Sequence, residues 1–185
     1  MSILRKIYLF LIDTVQTIVI AAVIFVLTYI FLFRPFQVSG NSMYPTYKDH
    51  EYILTNIIGL RVGNVHRGDV IVFRAPPDKE RDFIKRVIGL PGETISLQEG
   101  FVYINGKKLD ESKYLDAAVR TYGGAFLKDG SFIQIPNDNY IVMGDNRAYS
   151  SDSREWGLLK KDDIIGASSL VYWPVNNIQL IHNPF

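Results

Sequence analysis

The chain has 185 residues and a formal net charge of +1, which allows one folded domain with a small appendage and leaves no basic, aromatic-rich patch for nucleic acid. It contains no cysteine, so disulfide frameworks, cysteine-ligated zinc, iron–sulfur clusters and thiol nucleophiles are excluded. The three histidines, His50, His66 and His182, do not form a paired ligand spacing such as H-E-x-x-H, and neither a metal nor any other cofactor is expected.

The first element is the uncharged, mostly apolar run 14–33, whose 20 residues as a helix match a hydrocarbon core of about 30 Å. It predicts a single transmembrane anchor after a short cytoplasmic N-terminus, 1–13. A cleavable secretion signal would have a shorter apolar stretch and a small-residue cut site, whereas here Leu32-Phe33-Arg34-Pro35-Phe36 follows. Arg5 and Lys6 precede the run and Arg34 follows it, a bias toward an inside N-terminus. Residues 34–185 are then expected outside the cytoplasm, on a single-pass protein of the plasma membrane.

Beyond the anchor, short runs rich in β-branched and aromatic residues alternate with Gly, Pro, Asn and Asp, which predicts a mainly β fold of antiparallel sheets. The expected strands are 52–55, 69–73, 83–88, 94–98, 101–104, 140–143 and 165–172. Asn105-Gly106 is the clearest hairpin turn, since both residues tolerate positive φ. The more polar stretch 94–136 reads as a small β subdomain inserted into a core formed by 34–93 and 137–185.

Three segments carry residues suited to chemistry. Ser39-Gly40-Asn41-Ser42-Met43-Tyr44-Pro45-Thr46 starts a few residues past the membrane exit, so Ser42 lies within about 30 Å of the bilayer even on an extended chain. Read by itself, it is also an ordinary exposed turn. In Phe83-Ile84-Lys85-Arg86-Val87-Ile88, two cations interrupt a buried-type strand, and alternation leaves open whether Lys85 or Arg86 points inward. A lysine desolvated there would lose its proton more readily and could serve as a base; a strand lysine more often reaches solvent. The third segment, Met143 through Arg154, is a long loop dense in hydrogen-bonding groups, in which Asp152 and Arg154 are placed to pair.

Taken together, in wording and order, these segments resemble the type I signal peptidases of Gram-positive bacteria, the Ser/Lys proteases that remove signal peptides. The resemblance rests on the N-terminal anchor, Ser42-Met43-Tyr44-Pro45-Thr46, Gly68-Asp69-Val70-Ile71-Val72-Phe73, Lys85 through Gly92, and Gly144-Asp145-Asn146-Arg147 through Asp152-Ser153-Arg154. It implies that Ser42 is the acyl-forming nucleophile and Lys85 its general base. It also implies that Ser150 hydrogen-bonds the lysine amine and that Asp152 and Arg154 form a supporting ion pair. The Ser42 N–H is the natural oxyanion donor; Gly40 stands where some relatives carry a serine that supplies the second. Met43 resembles a methionine lining the substrate cleft, with Tyr44 beside it. The implied partners are signal peptides of exported preproteins, bound as extended strands with small-x-small side chains, and membrane lipid; no obligate protein partner is expected. Rival readings are a His-based serine protease, a self-cleaving SOS-type repressor, a non-cutting assembly factor for secreted or pilus proteins, and a tethered adhesion domain.

Overall fold

The computed structural model of the protein describes residues 3–59 and 63–185. Residues 1–2 of the expected N-terminal stretch and 60–62 of the expected core lie outside the described residues. Helix α1, Ile3–Leu32, extends the apolar run toward the N-terminus, because residues 3–13 contain no helix breaker. Within it, Arg5–Tyr29 is long and apolar enough to cross a membrane, and none of that stretch is buried against the rest of the chain. Phe33 does not belong to the helix. It opens strand β1, Phe33–Gln37, which pairs antiparallel with β2, Tyr52–Asn56, from Phe33↔Asn56 to Gln37↔Tyr52. The Ile57 N–H donates to the Leu32 carbonyl at 3.0 Å, so the sheet begins where the helix stops.

The larger sheet also contains β3, Val70–Ala75, β4, Asp78–Gly89, β9, Asn139–Met143, β10, Leu159–Lys160, and β11, Ile164–Trp173. Its order is β1-β2-β11-β3-β4-β9-β10, with β12, Gln179–Leu180, paired to β11. All its pairings are antiparallel. Strand β4 is longer than its apolar pattern because the charged residues 78–82 are held by pairing with β3, Arg74↔Asp82 among them. Strand β9 pairs with β4 only from Arg86↔Met143 to Gly89↔Ile141, which leaves 82–85 without a ladder partner on that side among the described residues.

A second sheet, in the order β7-β6-β5-β8, is built from β5, Thr94–Gln98, β6, Phe101–Ile104, β7, Lys107–Lys108, and β8, Phe132–Gln134. Asn105 and Gly106 make the β6–β7 turn with φ of 51° and 77°. The two sheets share apolar packing, since Ile95, Leu97, Val102 and Ile104 lie in one buried cluster with Ile88, Ile141 and Met143. Residues 94–134 are thus a separate sheet without a separate core.

Candidate active site

Ser42 lies in the 38–51 connection between β1 and β2, and the side chains that follow it fix its place. Met43 and Tyr47 sink into the cluster formed by Val38, Ile53, Val70, Val72 and Val171, and the Tyr47 hydroxyl donates to the Ser168 carbonyl at 2.8 Å. With both residues buried, Ser42 is held at the rim of that core. From the other side, the Asn146 N–H donates to the Ser42 carbonyl at 3.0 Å, and Asn146 Nδ2 donates to the Asn41 carbonyl at 3.0 Å. Thr46 Oγ1 donates to Asp145 Oδ2 at 2.6 Å.

Lys85 stands in β4 opposite Ile71, at the end of the segment β9 leaves unpaired. Its Nζ donates to Ser42 Oγ at 2.8 Å and to the Ile84 carbonyl at 2.8 Å, and lies 5.2 Å from the Phe83 ring centroid. The residue is 4% exposed. Burial pushes its pKa down from 10.5 to about 8, against the pull of the Asp152 and Asp145 carboxylates, because the ammonium loses hydration that these neighbours only partly replace.

Those two carboxylates are spoken for. Asp145 takes a two-pronged hydrogen bond from Arg86, Nε to Oδ1 at 2.8 Å and Nη2 to Oδ2 at 2.6 Å, with both side chains buried. Arg86 Nη1 donates to the Gly68 carbonyl at 2.8 Å, and its guanidinium lies 4.3 Å from the Tyr114 ring. Asp152 accepts from Arg154 Nε and Nη2, each at 2.8 Å, and from the Gly144 N–H at 3.0 Å. Burial would raise the Asp152 carboxyl, but Arg154, the Gly144 N–H and the Ser150 hydroxyl hold it below the usual carboxylate range. Asp152 also caps the short helix α2, Ser153–Trp156, by accepting from the Arg154 N–H. Lys85 and Arg86 are therefore both buried, on opposite faces of β4. Alternation could not choose between them because this strand is covered on both sides.

Ser42 and Lys85 come together, and Asp152 pairs with Arg154 close to them. Ser150 comes close to Asp152, whose carboxyl its hydroxyl helps to lower, but among the described residues that hydroxyl is buried without a hydrogen bond of good geometry, and the expected bond to the Lys85 amine is not formed. Both Ser150 and the Ser42 carbonyl press on Gly144, where a β-carbon would meet Ser150 Oγ and Ser42 O at 2.3 Å each. Met43 faces inward at 0% exposure, so it is core and not cleft lining; Tyr44 is 52% exposed and does not line the cleft either. Gly40 has φ +89°, and its N–H is engaged by Asp49 Oδ1 at 2.7 Å, so it is not a free oxyanion donor. His50 and His66 are exposed and lie beside Asp49 and Asp69. The sequence reading assigned nothing to Gly144, Asn146, Arg86, Asp145 or Asp49. The first four stand in motifs already singled out; Asp49 stands in Lys48-Asp49-His50-Glu51, whose composition is that of a solvated turn.

Ser42 and Lys85 open into a cleft of about 230 Å³ between the β1 end, at Phe36 to Ser39, and the unpaired stretch of β4, at Asp82 to Ile84, with Ile53 and Val72 at its floor. The lining is mostly apolar.

The family described as signal peptidase, peptidase S26, matches residues 11–173. Signal peptidase IB of Staphylococcus aureus (strain MRSA252) is 36% identical over 186 residues, covering 93% of this chain and 96% of that protein. Signal peptidase I U of Bacillus subtilis (strain 168) is 41% identical over 166 residues, 88% of this chain and 87% of that protein. A crystal structure of a signal peptidase I from Enterococcus faecalis V583 aligns with a TM-score of 0.47 at 29% identity, covering 57% of this chain and 97% of that one. With a family match over most of its length and relatives of this identity along nearly all of it, the chain belongs to the S26 family of signal peptidases and is a type I signal peptidase, a serine endopeptidase.

Proposed function

We propose that the enzyme cuts signal peptides from exported preproteins after small-x-small sites through an acyl-enzyme on Ser42, with Lys85 as general base. The observation that carries this reading is the 2.8 Å contact between the buried Lys85 Nζ and Ser42 Oγ. In the neutral amine the proton runs the other way, from the Ser42 hydroxyl to the Nζ lone pair. Ser42 Oγ attacks the scissile carbonyl as Lys85 takes that proton, and the Ser42 N–H faces the developing oxyanion. The new N-terminus leaves with the proton from the Lys85 ammonium; Lys85 then takes a proton from the water that attacks the ester and gives it to Ser42 Oγ as the signal peptide leaves with a free carboxylate. The Ser150 hydroxyl, buried near the Asp152 carboxylate without a hydrogen bond of good geometry, turns to the amine once substrate arrives. Asp152 and Arg154 hold the loop that carries it.

The substrate lies extended along the open edge of β4 at 82–85, its small side chains turned to the apolar cleft. Helix α1 anchors the chain, with its exposed apolar side chains against lipid, the N-terminus in the cytoplasm and residues from Phe33 onward outside. Residues 94–136 form a β insertion in a catalytic core of 34–93 and 137–185, and no obligate protein partner is needed. A non-cutting assembly factor has no use for a desolvated amine beside a hydroxyl.

The full-length enzyme in liposomes should cleave a preprotein with an Ala-x-Ala site on the C-terminal side of the second alanine. Acid quenching should trap the signal peptide on the tryptic fragment containing Ser42, seen by mass spectrometry; a fragment adduct elsewhere would refute the assignment. Gly144→Ala should lower kcat by about a hundredfold with the circular dichroism unchanged, because the added methyl forces apart the Ser42 carbonyl and Ser150.

A further inference from the structure

The loop bearing Ser42 is closed at its base by a clasp of backbone bonds and of the Asp49 carboxylate, while Glu51 accepts from the Lys48 N–H and from Asn177 behind it. The Val38 N–H donates to the Glu51 carbonyl at 2.8 Å, and the His50 N–H to the Val38 carbonyl at 2.9 Å. Between these bonds, Asp49 Oδ1 accepts the Gly40 N–H at 2.7 Å and the His50 N–H at 3.0 Å. Gly40 and His50 both occupy the left-handed region, at φ +89° and 65°, a conformation that a side chain disfavours and that therefore needs outside support. A β-carbon on Gly40 would meet nothing within 4 Å, so the glycine serves the backbone angle and not a lack of room. Gly40 is two residues from the Ser42 hydroxyl, and its peptide orientation passes directly into that of Asn41 and Ser42.

We infer that Asp49 is a positioning residue: by holding the Gly40 amide it fixes the backbone angle at which Ser42 presents its hydroxyl to Lys85 and its N–H to the oxyanion. The inference rests on the reading of Ser42 as nucleophile. The Gly40 amide bound to Asp49 is withdrawn from the substrate, and the Ser42 N–H is left as the backbone donor on that side. Asp49 makes no contact with Lys85 or with the cleft. Its influence on the reaction therefore runs through geometry, and what it requires of the side chain is an acceptor oxygen, not a charge.

The test compares Asp49→Ala, Asp49→Asn and Ser42→Ala with wild type, all full-length in liposomes, on one Ala-x-Ala preprotein, recording kcat, KM and the pH midpoint. Asp49→Ala should lose about ten- to a hundredfold in kcat, with KM within about twofold and the midpoint unmoved, the signature of a misaimed nucleophile. Asp49→Asn keeps an acceptor oxygen and should stay within about threefold of wild type, since hydrogen-bonding and not charge is at stake. Asp49→Ala with wild-type kcat, or a folded Asp49→Asn as impaired as alanine, overturns the inference. If the alanine variant fails to fold, Asp49→Ser, whose shorter side chain cannot reach the Gly40 N–H, takes its place with the same expected loss and the same overturning result. Cleavage by Ser42→Ala would instead overturn the underlying reading.

Discussion

Replacing Lys85 with methionine should lower cleavage of an Ala-x-Ala preprotein by about 10⁴-fold or more, as should Ser42→Ala, because a nucleophile and its base fail as a unit. Methionine nearly matches lysine in shape and fits the apolar ground between Phe83 and Ile84, so the loss is one of chemistry. In the wild type, the rate should rise with pH and reach half its plateau near pH 8, where the buried amine becomes neutral. The stability of the fold moves with the same group. Its folded pKa lies below its unfolded value of 10.5, so between about 8 and 10.5 the unfolded chain binds more protons and stability rises with pH. Below that window the native state carries a buried ammonium at a cost of roughly 3 kcal/mol by linkage. Lys85→Met should accordingly melt above wild type at pH 7 and converge with it above about pH 10.5. A methionine variant that cleaves, or a wild-type rate flat from pH 6 to 10, would rule Lys85 out as the base.

The amine stays poised because the two carboxylates near it are each bound to an arginine. Asp145 faces Arg86 and Asp152 faces Arg154, so neither presents a full negative charge to Lys85 and desolvation prevails. A free carboxylate at either place would hold the proton on the amine. The depressed Lys85 pKa thus depends on two ion pairs, each of which loses most of its attraction to its own desolvation and adds little net stability to the fold. They hold both carboxylates in hydrogen-bonded positions and weaken, without abolishing, the pull these exert on the Lys85 proton.

Local patterns carried much of this fold. Strands β5 and β6 and the turn at Asn105-Gly106 follow from alternation and from residues that tolerate positive φ. What alternation could not decide was β4, where Lys85 and Arg86 both point into the protein because sheet and loop cover both faces. The Ser42–Lys85 pairing spans 43 positions and reached the sequence reading only through resemblance to a family. Met43 shows the limit of that route, since a residue beside a nucleophile can anchor the loop as readily as line a cleft. Asp49 was illegible for a different reason. Lys48-Asp49-His50-Glu51 has the composition of a solvated turn, and only the path of the chain brings Gly40 under its carboxylate.

Arg154→Met should do more damage to stability than any surface change, by about 3–5 kcal/mol, because it strands the fully buried Asp152 carboxylate. It should also move the surviving activity toward alkaline pH. With its guanidinium gone, Asp152 turns its charge on Lys85, the neighbour whose ammonium it already favours, and the amine must be titrated at higher pH to become a base. The companion variant carrying both Arg154→Met and Asp152→Asn separates these effects. Removing both charges should return the pH midpoint to near or below the wild-type value and recover much of the stability, since the asparagine oxygen can still accept from the Gly144 N–H. Chemical denaturation at pH 7 reads the first quantity and initial rates from pH 6 to 10 the second. A single variant whose midpoint stays near 8 would mean that Arg154 only props up the loop and does not screen Asp152 from the amine.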